Sequence, residues 1–221
     1  MATDGRSARW DAHNAARRAR ILDAAIEVLE SEPSGAEVHV RQIAEQAGVA
    51  RTVVYRFFED KADLDHAIRR RVVRRLREAL LPALTLEGSA LQIIGGIISA
   101  YVEWADEHPA LHAVVEREAD QGADQDQVAV ALTALLQGGA DLVGATLSKD
   151  EQAALPLMVS GLIGQVYGAV RLWVARPTRE PSAEVLADLL SRSIWYLVDG
   201  HLQAHGLDIA PDRPLGERPS G

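Results

Sequence analysis

Helix start signals recur along this 221-residue chain, and they constrain its fold more than any other feature of the sequence. No window shows the strict alternation of apolar and polar residues that marks a half-buried strand. The aromatic content is only 5%, and Ala and Leu are abundant, which favours helices over sheets. Three capping pairs each open an apolar periodic run: Ser89 with Gln92, Asp124 with Gln127, and Ser148 with Glu151. The sequence therefore predicts an all-α fold of about nine helices.

Net charge is divided unevenly along the chain. Residues 1–77 carry 15 Lys and Arg against 12 Asp and Glu, a net charge of +3. Residues 78–221 carry 8 against 20, a net charge of −12, which brings the whole chain to −9. This pattern directs the N-terminal part toward phosphate groups and keeps the acidic remainder away from them. Uneven surface charge without a function is the alternative.

The absence of cysteine excludes disulfides and thiolate metal sites. Residues 1–14 lack the apolar core of a signal peptide, and charge, Pro or Gly interrupts the apolar stretches before about 18 residues. We therefore expect a cytoplasmic protein that does not span a membrane. Residues 1–14 and 208–221 are predicted to be flexible tails, and the second of them has too little apolar content to dock firmly.

Two short predicted helices, about 41–47 and 50–57, are separated only by Gly48 and Val49. Helices joined so closely form a helix-turn-helix. Val54 and Phe58 lie one helical turn apart and can pack on the preceding helix, 15–30. The opposite flank presents Arg, Thr, Val and Tyr side chains, which are suited to hydrogen bonds and methyl contacts with base edges in the major groove.

The same segment resembles the DNA-binding signature of the tetracycline-repressor (TetR) family. Residues 40–61 read VRQIAEQAGVARTVVYRFFEDK, and residues 20–25 read RILDAA, which matches the usual opening of the first helix in that family. The resemblance implies base contacts from Arg41, Arg51, Thr52 and Val53. It implies phosphate contacts from His39, Tyr55, Arg56 and Lys61.

The sequence departs from the family pattern at two helix starts. His39 stands where the family often has Thr, and Ala50 stands where it often has Ser. An absent side-chain N-cap costs about 1 kcal/mol, which packing or DNA contacts can offset, so the fold assignment does not change.

In the second half of the chain, glycines recur on the penultimate helix and leucines on the last. Because a glycine inside a helix costs about 1 kcal/mol relative to Ala, we expect another helix to approach closely there. In TetR-like proteins the last two helices pair across a two-fold axis, and the sequence offers these residues for such a homodimer: Gly161, Gly164, Gly168, Leu186, Leu190, Ile194 and Leu197.

An effector pocket with mostly apolar walls and a few polar anchors is expected among helices 4 to 8. The candidate lining residues are Tyr101, Trp104, His112, Val115, Met158, Leu162 and Gln165. Ordinary core packing is the alternative for each of them. His108, His112 and Glu116 follow at i, i+4, i+8 spacing, but His108 is predicted to precede the helix that begins at Pro109, so we expect no metal site and no cofactor.

The resemblance implies a ligand-responsive repressor that binds a palindromic operator as a dimer and is released by a largely apolar small molecule. The implied domains are a DNA-binding domain, 15–61 with its motif at about 39–58, and an effector-binding and dimerisation domain, 62–207. An activator or a ligand-independent regulator is the alternative. A helical scaffold or an enzyme is disfavoured; for an enzyme, the sequence contains no GxSxG, GxxxxGK[ST] or HExxH motif.

Overall fold

The computed structural model describes residues 4–32, 37–119 and 126–215. These residues form nine α-helices, one 3₁₀ turn and no strand, which confirms the predicted fold class. The α-helices are α1 (Asp4–Ser31), α2 (Val40–Gln46), α3 (Arg51–Val54), α4 (Lys61–Leu80), α5 (Ala90–Glu107), α6 (Pro109–Ala119), α7 (Asp126–Leu142), α8 (Lys149–Val174) and α9 (Ala183–Ala204), and the 3₁₀ turn is Leu81–Ala83.

Two of the predicted capping pairs are present as reciprocal hydrogen bonds. The backbone amide of Gln92 donates to Ser89 Oγ at 3.2 Å, and the amide of Ser89 donates to Gln92 Oε1 at 2.9 Å. Ser148 and Glu151 make the same exchange at the start of α8. These bonds satisfy amides that have no partner inside the helix. The predicted pair that starts at Asp124 lies outside the described residues.

The chain divides into two compact units. The first comprises the residues up to Arg74 together with 108–117, and the second comprises 75–107 and the residues from 118 onward. The predicted boundary after residue 61 differs from this division. The first part of α4 belongs to the first unit because Leu64, Ile68 and Val72 are buried and Arg71 Nη2 forms an ion pair with Asp23 Oδ1 of α1 at 2.6 Å.

The core of the first unit is formed by α1, α2 and the residues around α3. Ile21, Ile26 and Ile43 are buried there together with Phe58. In the second unit, α5 packs against α9 and α8, and α8 also packs against α7. Val102 of α5, Val170 and Trp173 of α8, and Trp195 of α9 are among its buried side chains.

Parts of both predicted tails have regular structure or hydrogen bonds to the rest of the chain. At the N-terminal end, α1 begins at Asp4 rather than near residue 15. At the C-terminal end, the amide of Leu91 donates to the carbonyl of Pro211 at 3.1 Å, and the amide of Leu215 donates to the carbonyl of Gly88 at 3.0 Å. The tail docks by backbone hydrogen bonds to the segment that opens α5, so its low apolar content did not reveal it.

The apolar stretch of α8 is interrupted by Pro156, Gly161, Gly164 and Gly168, as expected from the sequence, yet the helix as a whole is strongly apolar. By length and composition alone, α8 is apolar enough to cross a bilayer, with a mean hydropathy of 1.5 over 18 residues, of which 17% are buried. A helix that packs against another protein surface passes the same test. Three large apolar side chains of α8 are exposed, namely Leu157, Met158 and Leu172.

Candidate nucleic-acid interface

The turn between α2 and α3 has the geometry that a helix-turn-helix requires. Gly48 adopts a left-handed backbone with φ of 65°, a conformation that residues with a Cβ rarely adopt. The amide of Val49 donates back to the carbonyl of Ala44 at 2.9 Å, which closes the end of α2. The chain can therefore reverse within two residues and present α3 beside α2.

Burial divides α3 and the turn after it into two sides. Val54 and Phe58 are almost completely buried, as the sequence predicted. Arg51, Thr52, Tyr55 and Arg56 are exposed, and Val53 is half-buried. The regular helix ends at Val54 rather than at Phe57, because residues 55–57 continue as turns. A polar flank therefore faces away from the protein interior.

A surface groove of about 470 Å³ lies between the starts of α2, α3 and α4. It is lined by His39, Val40, Arg41, Gln42, Arg51, Tyr55 and Lys61. Five of the eight predicted DNA-contacting residues therefore meet in one groove. Thr52, Val53 and Arg56 do not line it and lie farther along α3 and the turn that follows.

Nearby carboxylates hold two of the cations in this groove. Lys61 Nζ lies 2.8 Å from Asp65 Oδ2 and 3.9 Å from Glu37 Oε1. Arg41 Nε lies 3.6 Å from Glu45 Oε1, although both side chains remain largely exposed. Such surface pairs are weak, about 0–1 kcal/mol, so a phosphate can replace the carboxylate as the partner.

The structure shows how α2 and α3 begin at His39 and Ala50, the two positions that depart from the family pattern. At α2, Gln42 Oε1 accepts from the backbone amide of His39 at 2.9 Å, which is the bond that the N3 residue makes in a capping box. Gln42 Nε2 also donates to Glu32 Oε1 at 2.8 Å, which fixes the α2 start against the end of α1. At α3, Ala50 provides no side-chain cap.

The residues predicted at the dimer interface separate into two groups in the second unit. A Cβ built on Gly161, Gly164 or Gly168 meets nothing within 4 Å, so no helix of the same chain explains these glycines. Leu197 is exposed and Leu186 is half-buried. The prediction is wrong for Leu190 and Ile194, which are 8% and 7% exposed and belong to the core of the single chain.

Sequence reasoning missed several members of this exposed surface. Seven large apolar side chains of α8 and α9 are at least 38% exposed: Leu157, Met158, Leu172, Val185, Leu189, Tyr196 and Leu197. The apolar residues of α9 occur on nearly all of its sides, so its sequence pattern does not separate the core face from this surface.

The residues predicted to line the effector pocket do not all lie in one place. Met158 and Gln165 lie on the exposed side of α8, on the same stripe as the glycines, so their assignment to an interior wall is wrong. Tyr101 and Trp104 of α5 are buried, and Leu162 is half-buried. The rings of Tyr101 and Tyr167 lie 4.9 Å apart, and burial raises the pKa of Tyr167 to about 12. His112 and Val115 belong to the first unit, where both are buried.

Burial lowers the pKa of His112 to about 4, so this side chain is neutral at neutral pH. His108 lies before α6, and its Nδ1 is 2.6 Å from Glu30 Oε1. His108 lies outside the helix that contains His112, and its ring nitrogen contacts Glu30 instead, so the two histidines do not form a pair of metal ligands. Among the described residues, no group of three or more His, Asp or Glu is suited to hold a metal ion.

Comparison with known proteins agrees with this geometry. Residues 21–68 match the family described as "Bacterial regulatory proteins, tetR family". An uncharacterised HTH-type transcriptional regulator from Mycobacterium tuberculosis is 27% identical over 216 residues, covering 92% of this chain and 86% of the relative.

Solved structures share the fold. A TetR-family regulator from Streptomyces coelicolor superposes with a TM-score of 0.66 at 20% identity, covering 85% of this chain and 82% of that one. FadR from Bacillus subtilis in complex with stearoyl-CoA gives 0.59 at 20% identity, with 78% and 95% covered. RolR in complex with resorcinol gives 0.56 at 18% identity, with 95% and 97% covered.

Proposed function

We propose that this chain, whose residues 21–68 match the TetR family of DNA-binding transcriptional regulators, is a ligand-responsive repressor rather than an enzyme. It binds a palindromic operator as a homodimer in the cytoplasm, and a small-molecule effector releases it. The observation that carries the proposal is the division of the recognition segment, where Val54 and Phe58 are buried while Arg51, Thr52 and Tyr55 face solvent.

The DNA contacts follow from the exposed side chains. Base edges in the major groove are read by Arg41, Arg51, Thr52 and Val53, since Arg bonds guanine in bidentate geometry and the methyl groups fit thymine. The phosphates are bound by His39, Tyr55, Arg56 and Lys61. Phosphate contacts fix the register and supply salt-dependent affinity, whereas base contacts select the operator.

Dimerisation provides the specificity that one short helix lacks. Two α3 segments related by a two-fold axis read half-sites about 34–36 Å apart, which is why the operator is palindromic. We infer that a partner subunit packs against α8 and α9. Both helices have exposed apolar side chains, and the glycines of α8 have space beside them that no other part of the same chain fills. A helix-on-helix interface also explains why α8 is apolar along its length.

The effector site is proposed in the second unit, between α5 and α8. Tyr101, Trp104 and Leu162 are its candidate lining residues, and the rings of Tyr101 and Tyr167 form a tilted pair there. The complexes of FadR with stearoyl-CoA and RolR with resorcinol support a small organic molecule as the effector class. To release DNA, the effector must bind the DNA-incompetent state more tightly than the DNA-bound state.

Selection of bound sequences from random duplex DNA tests the proposal. The purified full-length protein is expected to enrich a palindrome with half-site centres about 10 base pairs apart or a multiple of that spacing. Enrichment of non-palindromic or unrelated sequences would contradict dimeric operator binding. A helical scaffold without DNA-binding activity would enrich none.

A reporter gene placed behind the enriched palindrome separates a repressor from an activator. Repression predicts higher expression when the regulator is absent, and activation predicts the reverse. Screening small apolar molecules for loss of DNA binding then tests the effector. If the protein represses the reporter but no tested molecule reduces its DNA binding, the ligand-independent alternative is favoured.

A further inference from the structure

Two amide–carboxylate hydrogen bonds join α2 to the end of α1. Gln42 Nε2 donates to Glu32 Oε1 at 2.8 Å near the start of α2, and Gln46 Nε2 donates to Glu27 Oε2 at 2.6 Å near its end. Gln42 and Gln46 lie one helical turn apart, so they belong to the same side of α2. Hydrogen bonds to an ionised carboxylate are stronger than neutral ones. Both bonds therefore hold this side of α2 against α1.

Arg41 lies on a different side of α2, which faces solvent. Its side chain is 80% exposed, and its Nε lies 3.6 Å from Oε1 of Glu45, one turn later. The core side of the helix buries Val40, Ile43 and Ala44. A helix of seven residues is too short to be stable by itself. The position of Arg41 therefore depends on the contacts that the other two sides of α2 make.

Gln42 uses both ends of its side-chain amide inside the protein. Its Oε1 accepts from the backbone amide of His39 at 2.9 Å, while its Nε2 donates to Glu32. Gln42 also lines the surface groove, and Gln can read adenine with the same two atoms. A base contact by Gln42 would therefore break two hydrogen bonds that hold the start of α2.

We propose that Glu32 and Gln42 are a positioning pair that fixes Arg41 for its base contact. This inference rests on the proposed function. Gln42 is held by Glu32 and itself holds the backbone of His39, so the two bonds enclose the first turn of α2, in which Arg41 lies. A bidentate contact from Arg41 to guanine needs two N–H groups aligned with O6 and N7. Without the pair, the first turn can shift, and a shift of this kind weakens the alignment.

The bond between Gln46 and Glu27 has the same chemistry and provides a matched control. It lies at the last turn of α2, away from the first turn. There Arg20 Nη2 also donates to the carbonyl of Ala47 at 3.4 Å, so the end of α2 has a second contact with α1. Loss of the bond to Glu27 therefore leaves the first turn of α2 in place, although it removes the same charge as a substitution of Glu32.

The test measures binding of the full-length protein to the operator selected from random duplex DNA and to each of its single-base variants. Arg41→Ala identifies the base pair that Arg41 reads, because discrimination at that base pair disappears. Glu32→Ala should lower discrimination at the same base pair by about threefold or more, which is a part of the roughly 5- to 150-fold that a bidentate contact supplies. Discrimination at all other base pairs should keep its wild-type value.

Three further variants separate alignment from charge. Glu27→Ala removes one negative charge, as Glu32→Ala does, so it should raise the affinity for all the duplexes by a similar factor and leave discrimination unchanged. Glu32→Gln keeps an acceptor oxygen for the Gln42 amide, so it should retain wild-type discrimination. Gln42→Ala should lose at least as much discrimination as Glu32→Ala. The double variant should lose no more than Gln42→Ala alone, because both substitutions remove the same bond.

Wild-type discrimination by Glu32→Ala at the base pair of Arg41 would overturn the positioning pair alone. So would an equal loss at every base pair together with a lower urea midpoint, since a merely structural role predicts that result. A base pair at which Gln42→Ala loses discrimination and Glu32→Ala does not would mean that Gln42 reads DNA itself, against the inference. If Arg41→Ala changes discrimination nowhere, the base contact of Arg41 and the pair fall together. If wild-type protein enriches no palindrome at all, the proposed function falls as well, which distinguishes the two failures.

Discussion

Arg51 and Tyr55 are held together on the exposed side of the recognition segment. The Arg51 guanidinium carbon lies 5.6 Å from the centroid of the Tyr55 ring, and Arg51 Nη2 is 3.4 Å from the Tyr55 hydroxyl oxygen. The spacing is i, i+4, so both side chains lie on one face of the helix and its following turn. This contact limits the positions that the guanidinium adopts before DNA arrives, and less side-chain entropy is then lost on binding.

Replacing either member of this pair should weaken operator binding in a different way. Arg51→Ala removes a proposed base contact and should cost about 1–3 kcal/mol on the preferred operator, with relaxed specificity at one position of each half-site. Tyr55→Ala should weaken binding to preferred and altered operators alike. Binding isotherms on a set of single-base operator variants measure both effects. Tyr55→Phe separates the roles of Tyr55, because it keeps the ring beside Arg51 and removes only the hydroxyl.

Lys61 and its partner Asp65 should have opposite effects on DNA affinity. Lys61→Gln removes a proposed phosphate contact from each half-site, so the salt slope should fall by about 1.8 in a dimer. Asp65→Asn removes the carboxylate that lies 2.8 Å from Lys61 Nζ and should strengthen binding at low salt. Titrations of the same operator from 50 to 200 mM salt would detect both changes. Equal slopes for wild type and Lys61→Gln would remove Lys61 from the phosphate contacts.

A large side chain at Gly164 should block dimerisation without unfolding the protomer. A Cβ at this position meets no atom within 4 Å in the single chain, and replacing a helical glycine stabilises a helix by about 0.5–1 kcal/mol. Gly164→Leu should therefore raise the dissociation constant of the dimer at least a hundredfold in sedimentation equilibrium. Operator binding should fall with it.

Gly96 provides the matched control for this substitution. It is an exposed glycine inside α5, and a Cβ there also meets nothing within 4 Å. Gly96→Leu should leave the protein dimeric. If both variants stay dimeric, the glycine stripe of α8 is not the interface.

His112 should make folding stability depend on pH below neutrality. Burial lowers the pKa of His112 from 6.5 to about 4, so between these values the unfolded chain binds a proton that the folded protein does not. The free energy of unfolding should be fully retained above pH 6.5 and should fall with decreasing pH by up to about 1.4 kcal/mol per unit from this group. Urea unfolding at pH 7 and pH 5 measures the loss.

The variant His112→Gln isolates this contribution from that of other groups. Gln does not titrate, so the difference in stability between pH 7 and pH 5 should be about 2 kcal/mol smaller in the variant than in the wild type. An identical difference in the two proteins would show that His112 is protonated equally in the folded and unfolded states.

Much of the DNA-binding motif could be predicted from sequence because it depends on neighbouring residues. The reversal at Gly48 requires a left-handed residue, and the burial of Val54 and Phe58 follows from their spacing on one helical face. The length of α3 could not be predicted as well, because residues 55–57 continue helix-like turns whose hydrogen bonds are decided by packing of the next segment. The groove that joins His39, Arg51 and Lys61 depends on how three separate helix starts meet.

The sequence by itself determined where helices start and which side of the recognition segment is polar, since capping bonds and helical periodicity act over three or four residues. Tertiary structure alone decided which apolar residues of α9 are core. Leu190 and Ile194 are buried, whereas Leu189 and Leu197 remain exposed, although all four have similar side chains. It also decided the docking of residues 211–215, because that contact uses backbone groups that every residue carries. Burial and backbone pairing depend on which distant segments meet, and local sequence patterns do not encode that.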